Sequence, residues 1–93
     1  MMAKAERLVA TAIMRDGKML ERGFQSHWQL RAALNPERAN FNQHVDGDID
    51  GFVTSTGRFV DRFEARDVAI ASGQIGPMWK DAVRDLLSAD VNW

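Results

Sequence analysis

The sequence predicts an α+β fold, a small antiparallel sheet of three or four strands with two or three helices packed on one face. Three observations carry this prediction: a β-branched apolar run before an Asp-Gly turn, a central helix with both ends marked, and three-and-four apolar spacing near the C-terminus. A chain of 93 residues is short for more than one hydrophobic core, so we expect a single domain over residues 1–93.

The first two strands are predicted on either side of Asp16-Gly17. The apolar run LVATAIM occupies residues 8–14, and Asp-Gly readily supplies the positive φ angles of a tight hairpin turn. The chain then returns over residues 18–21, and Gly23 ends this second strand.

A first helix is predicted within FQSHWQLRAAL, residues 24–34. Ser26 is able to cap it, because a serine side chain accepts from the first unpaired amides. Asn35-Pro36 stops it, since the residue before a proline is pushed out of the helical region.

The polar segment ERANFNQHVDGDID, residues 37–50, predicts an exposed loop with a short strand over residues 44–49. Its aspartates are spaced two apart, as at the start of a calcium loop, at Asp46, Asp48 and Asp50. Phe52 and Arg58 stand where that loop requires a glycine and a bidentate glutamate. We therefore expect a solvated acidic loop and no metal site.

A strand over residues 51–54 and a glycine turn over residues 55–57 are predicted to lead into the second helix. Asp61 is its predicted cap, with the Glu64 side chain reaching back to the cap amide as in a capping box. Gly73 ends the helix, because glycine adopts the left-handed conformation after a last turn without a Cβ penalty.

A last helix is predicted to begin near Pro77, which suits the first helical position. Its apolar face has the spacing that packs against a core, at Met78, Trp79, Ala82, Val83, Leu86 and Leu87.

The composition excludes several classes of function. Twelve Lys+Arg against 13 Asp+Glu give a formal net charge of -1, which lacks the basic excess of a general nucleic-acid binder. The chain has no cysteine, which excludes disulfides and thiolate chemistry. The N-terminal apolar run is short and interrupted by charges, so we expect no signal peptide or membrane span and an intracellular protein.

No spacing in the sequence places a nucleophile, a base and an oxyanion site in one pocket. We therefore expect no catalytic residues, no cofactor and no enzymatic activity.

The candidate ligand-binding residues lie around two helix starts. Arg58 and Arg62 flank the Asp61 cap, where cations oppose the helix dipole and a bound phosphate would compensate them. Surface ion pairs with Asp61, Glu64 or Asp67 explain the same arginines equally simply.

His27 and Trp28 stand at the start of the first helix, where a ring nitrogen and an aromatic face favour a nucleotide. A core tryptophan beside a polar boundary histidine is the alternative.

The block GFVTSTGRFVDRFEARDVAIASGQI, residues 51–75, resembles one in small proteins of tailed phages and prophages. The front of the chain, with LVATAIM, DGKMLERG and the pair Ser26-His27, is similar to theirs, and the matching pieces together cover about two thirds of the sequence. The nearest functional group is the first Thoeris anti-defence family, whose members bind cyclic ADP-ribose isomers without cleaving them and so keep the bacterial immune effector inactive.

This resemblance implies a ligand site and a location. Arg62 and Arg58 would contact a diphosphate, Phe59 or Trp28 would stack on adenine, His27 would line the pocket, and Asp61 would contact a ribose besides capping the helix. The ligand would lie between subunits of a dimer or hexamer, in the cytoplasm of the infected bacterial host. Phe63, where the family commonly has a polar residue, and the segment 35–50 depart from the pattern.

Two other functions stay open at this point. The first is an anti-CRISPR type inhibitor that uses the acidic loop of residues 46–50 to imitate a nucleic-acid backbone, although acidic mimicry usually needs a larger negative charge. The second is an assembly protein that pairs subunits through the face of residues 78–87. In every version we expect a homo-oligomer, because 45% hydrophobic residues exceed what one small core hides.

Overall fold

The computed structural model describes residues 6–34, 47–81 and 86–93. Within these ranges four strands form one antiparallel sheet in the order β2-β1-β3-β4. The strands are β1 (Leu8–Arg15), β2 (Lys18–Leu20), β3 (Ile49–Thr54) and β4 (Phe59–Asp61), the α-helices are α1 (His27–Leu34) and α2 (Arg62–Ser72), and two 3-10 helices span Pro77–Asp81 and Ser88–Asp90. No helix of the described residues has the length and apolarity needed to cross a membrane.

The hairpin between β1 and β2 is confirmed. Asp16 and Gly17 have φ angles of 51° and 78°, and both are positive as a type I′ turn requires. The register pairs Arg15 with Lys18 and Ile13 with Leu20. The second strand ends one residue before the predicted Glu21.

Both α-helices pack on one face of the sheet, which confirms the predicted fold class. The sheet supplies Leu8, Phe52 and Val60 to a core completed by α2 and the C-terminal segment, with Ala65, Val68, Ala69, Ile75, Leu86 and Val91. Helix α1 lies over the same face, since the His27 ring meets the Phe52 ring edge-on at 5.2 Å. Phe52 is thus at the centre of the molecule.

The other face of the sheet carries a small cluster of Ala10, Ala12 and Val53, with Met19 and Phe59 packed against it. Gly51 lies at this face, where its backbone is closely approached. A Cβ on this residue would lie 2.2 Å from the carbonyl oxygen of Val60 and 2.5 Å from the ring of Phe59. A glycine in the middle of a strand is therefore explained by the aromatic ring that covers it.

We expect Gly51→Ala to destabilise the protein by about 1–3 kcal/mol, the usual cost of overpacking a closely packed site. The neighbouring backbone carbonyl cannot move without disturbing the β3–β4 pairing. Gly76→Ala is the matched control, because its Cβ would meet only the side chain of Met78, which is 76% exposed. Chemical denaturation of both variants checks the prediction, and an equal loss in the two would contradict it.

Both ends of α2 are confirmed. Asp61 Oδ1 accepts from the Glu64 amide at 2.8 Å, and Gly73 has a φ of 79° while its amide donates to Ala69 and Ile70. The Glu64 carboxylate, predicted to reach back to the cap amide, accepts from Arg58 in the structure.

Gln74 follows the end of α2 and holds the helix against β1. Its side-chain oxygen accepts from the Leu8 amide at 2.8 Å, and its side-chain nitrogen donates to the Leu8 carbonyl at 2.8 Å. These bonds satisfy the backbone of β1 where its pairing with β3 shifts between Leu8 and Ala10.

The predicted last helix begins at Pro77 as expected, but its described part is a 3-10 helix and its apolar face is only partly packed. Pro77–Asp81 is a 3-10 helix, in which Trp79 donates to Gly76 at 3.1 Å, and residues 82–85 lie outside the described ranges. Met78 and Leu87, assigned to the packed face, are 76% and 47% exposed. Leu86 reaches the core while Leu87 does not, because tertiary packing rather than helical periodicity positions the segment before Val91 and Trp93.

The first helix and the third strand also differ at their boundaries. Helix α1 begins at His27, and the Ser26 carbonyl accepts from the Leu30 amide at 3.0 Å. Strand β3 begins at Ile49 rather than at residue 51. The predicted stop at Asn35-Pro36 and most of the predicted polar loop lie outside the described residues.

Candidate anion-binding site

A partly buried cluster of charged side chains lies where α1, β3 and α2 meet. The Nη2 atoms of Arg31 and Arg62 both donate to Asp50 Oδ2, at 3.3 Å for Arg62. The side chains of Arg31, Arg62 and Asp50 are 16%, 17% and 13% exposed. Two guanidinium groups thus share one carboxylate oxygen, a contact that burial strengthens relative to a surface ion pair.

Arg62 is held firmly at one edge and loosely at the other. Its Nη1 donates to the Leu86 carbonyl at 2.7 Å, a typical length for a charged donor. Its Nη2 makes longer contacts, 3.3 Å to Asp50 and 3.5 Å to His27 Nδ1. The Nη2 edge is therefore the part of this guanidinium that a second anion engages at least cost.

His27 is a neutral support for Arg62. Its Nε2 lies 2.7 Å from the Gly51 carbonyl oxygen, which only accepts, so Nε2 carries the proton and Nδ1 presents its lone pair to Arg62. Burial and the neighbouring Arg62 charge lower the pKa of His27 to about 4. The imidazole therefore adds no positive charge at neutral pH.

Trp28 follows His27 at the start of α1 and is half exposed. The alternative that it fills the core does not fit this exposure. Its indole therefore offers the accessible aromatic surface that a stacking partner requires.

Arg58 belongs to a different network. It forms a bidentate pair with Glu6, at 2.8 Å to Oε1 and 2.9 Å to Oε2, and also contacts Glu64. Glu6 Oε2 further accepts from the hydroxyls of Thr54 and Thr56, and the bonds from Arg58 and then from these hydroxyls lower the pKa of Glu6 to about 2. Arg58 is thus already bound by two carboxylates.

The two predicted arginines lie at opposite ends of β3. Arg58 is at the Thr54 end and Arg62 at the Asp50 end, about 13 Å apart along the strand at ordinary strand rise. A surface cavity of about 420 Å³ lies beside Arg58. Three carboxylates and two apolar side chains complete its lining: Glu6, Glu64, Asp67, Val68 and Ala71. This arrangement repels a diphosphate.

Phe59 lies on the face of the sheet away from α2, whereas Asp61 ends β4 with its side chain on the first turn of α2. Side chains alternate along β4, and Val60 between them points into the core. Phe59 covers Gly51, and Asp61 caps α2 from an exposed position. The structure therefore brings together His27 and Arg62 from the predicted set, with Trp28 adjacent in sequence, and separates Arg58 and Phe59 from them.

The prediction of a solvated acidic loop is wrong for Asp48 and Asp50. Asp48 is 8% exposed and accepts two hydrogen bonds from Arg15, at 2.9 and 2.8 Å. Both carboxylates are drawn inward because β3 begins near them and arginines from β1, α1 and α2 surround its start. Asp46 lies outside the described residues. Inward-pointing, paired carboxylates also disfavour acidic mimicry of a nucleic acid.

Sequence reasoning missed Arg31 and Asp50 as members of the site. The spacing of His27 and Arg31, one helical turn apart, was a usable signal because residues i and i+4 share a helix face. Within the described part of the chain, no group of three His, Asp or Glu residues is placed to hold a metal ion.

The fold and the cluster define a small α+β domain with a partly buried arginine pair at one end of its sheet. The family model of the phage T4 y16D protein matches residues 3–92, and the chain belongs to this phage family. No curated protein and no solved structure gives a significant match. The resemblance to the Thoeris anti-defence proteins stays a prediction.

Proposed function

We propose that this phage-family protein binds and sequesters a cyclic nucleotide-type immune signal, such as a cyclic ADP-ribose isomer, in the cytoplasm of the infected bacterium. The observation that carries the proposal is the loosely held Nη2 edge of Arg62, partly buried beside neutral His27. A phosphate oxygen there would make the short charged contacts that Arg62 now lacks on this edge.

Charge balance supports an anionic ligand. Among the described residues of the cluster, which are His27, Arg31, Asp50 and Arg62, two positive side chains face one negative side chain, because the imidazole is neutral. Charge kept away from water is costly unless it is compensated, and a phosphate compensates it. The half-exposed Trp28 is the stacking surface for the base.

Binding without cleavage is supported by the state of the imidazole. Both nitrogens of His27 are engaged, Nε2 with the Gly51 carbonyl and Nδ1 with Arg62. With its pKa lowered to about 4, this imidazole is a weak base at neutral pH and poorly suited to take a proton from a nucleophile. We therefore assign it a positioning role and the protein no catalytic activity.

Arg58 and Phe59 have no ligand role in this proposal, and Asp61 keeps its role as helix cap. The predicted dimer or hexamer remains part of it, since large apolar side chains are exposed at Trp28, Phe63 and Leu87. A light-scattering mass equal to the monomer would contradict self-association.

Ligand depletion and return test the function. After incubation with excess protein, free cyclic ADP-ribose isomer is expected to fall, and heat denaturation is expected to release it intact. Arg62→Gln should weaken binding by about tenfold or more, the worth of one charged hydrogen bond, while Arg58→Gln leaves it unchanged. Circular dichroism of both variants controls for folding. A ligand that is never depleted, or that returns hydrolysed, contradicts the proposal.

A further inference from the structure

We infer that Arg31 completes the anion site and that the Asp50 carboxylate occupies the position of the ligand's phosphate until the ligand displaces it. The inference rests on the proposed anion-binding role of Arg62 and adds a built-in competitor to it. Asp50 then sets the affinity of the site without contacting the ligand.

The geometry of Asp50 is that of a bound anion. One oxygen, Oδ2, accepts from guanidinium groups on two different helices, Arg31 on α1 and Arg62 on α2. Arginine binds carboxylate and phosphate oxygens through the same N–H donors and with similar geometry. A phosphate oxygen placed at Oδ2 would bridge the same two arginines.

A comparison within the chain separates this contact from an ordinary structural ion pair. Two residues earlier, Asp48 uses both oxygens on Arg15 at 2.8 and 2.9 Å. Asp50 meets Arg62 through the same single oxygen that binds Arg31, at the longer distance of 3.3 Å. The Asp50–Arg62 contact is therefore weaker than the Asp48–Arg15 ion pair and easier to replace.

Displacement requires a rotation of the Asp50 side chain that breaks its contacts with Arg31 and Arg62. The backbone of Asp50 is held in β3, where it pairs with Ile13 of β1. Arg62 stays in place because Leu86 holds its other edge and His27 supports Nη2. Rotation of the Asp50 side chain releases the N–H donors of Arg31 and of Arg62 Nη2 while Arg62 remains anchored at Leu86, so ligand and carboxylate compete for one place.

Calorimetric titration of the full chain with inorganic pyrophosphate tests the competition. Asp50→Asn removes the competing charge and is expected to tighten pyrophosphate binding about tenfold, within the usual range of coupling between two groups at one site. Arg31→Gln is expected to weaken it by a similar factor. Asp48→Asn is the matched control and is expected to leave the affinity unchanged.

An Asp50→Asn affinity equal to or below that of the native protein overturns the inference, as does the absence of pyrophosphate binding to both proteins. If Asp50→Asn does not fold, the pyrophosphate titration of Arg31→Gln provides the test. An affinity equal to that of the native protein then overturns the inference. A parallel titration with cyclic ADP-ribose distinguishes the failure of the inference from the failure of the proposed function. Pyrophosphate binding that responds to Asp50 and Arg31, without nucleotide binding, supports the inference and contradicts the proposed ligand. Nucleotide binding of equal affinity in all variants contradicts the inference and supports the proposed function.

Discussion

Replacement of Phe52 by alanine is expected to destabilise the protein by about 3–5 kcal/mol, the usual range for a large side chain removed from a core. Phe52 is fully buried, and its ring contacts those of His27 and Trp93 at centroid distances of 5.2 and 5.9 Å. The cavity would lie where the sheet, α1 and the C-terminal segment meet. Urea denaturation followed by circular dichroism measures the loss.

Phe63→Ala is the matched control for this experiment. Phe63 lies on α2 with 69% of its surface exposed, and its ring contacts the Arg66 guanidinium at 5.2 Å. Its truncation is expected to change stability by no more than about 0.5 kcal/mol, as for most surface substitutions. Similar losses at Phe52 and Phe63 would contradict the assignment of Phe52 to the centre of the core.

Sequence patterns predicted the features that a few consecutive residues determine. Asp16-Gly17 forms its turn because only the local φ angles matter there. Asp61 and Gly73 define the two ends of α2 because capping uses backbone groups within one turn. The fold class followed from such signals in order along the chain.

The contacts of the arginines depend on residues distant in the sequence and were not predicted. Arg58 binds Glu6, which is 52 positions away in the sequence, and Arg31 binds Asp50 at a separation of 19. Which acid each arginine meets is decided by the order of the strands, on which periodicity gives no information. The placement of Leu86 and Leu87 has the same origin, because tertiary packing buries Leu86 and leaves Leu87 47% exposed.

The candidate site was predicted in part for a physical reason. His27 and Arg62 start two helices that pack on the same face of the sheet, and they lie in contact. Arg58 precedes the three residues of β4 and Arg62 follows them, so a whole strand separates the two arginines. Proximity in sequence was misleading here because the intervening residues are extended.

The stability of the protein is expected to fall by about 3 kcal/mol between pH 6.5 and pH 4 because of His27 alone. Its pKa is lowered from 6.5 to about 4 in the folded state by burial and by the Arg62 charge. In this interval the unfolded chain binds a proton on His27 and the folded protein does not, so acid favours unfolding. The stabilisation is complete above pH 6.5 and is lost as the pH falls to 4, at about 1.4 kcal/mol per pH unit.

His27→Gln separates this contribution from that of other groups. A glutamine amide keeps a donor for the Gly51 carbonyl but does not titrate, so the variant should lose the His27 contribution to the pH dependence, most clearly between about pH 5 and 6.5 where carboxylates such as Glu6 stay ionised, even if it is less stable overall. His44→Gln is the matched control, because it removes the chain's second histidine. Urea midpoints at half-unit pH steps provide the comparison. A native slope retained in His27→Gln but lost in His44→Gln would refute the assignment of a neutral, buried His27.

The titration of His27 also bears on the site. Protonation at Nδ1 places an N–H against the Arg62 guanidinium and removes the lone pair that supports it. An anion bound at Arg62 offsets the positive charge that lowers the pKa of His27, so protonation of His27 should strengthen anion binding over the same range in which it weakens the fold.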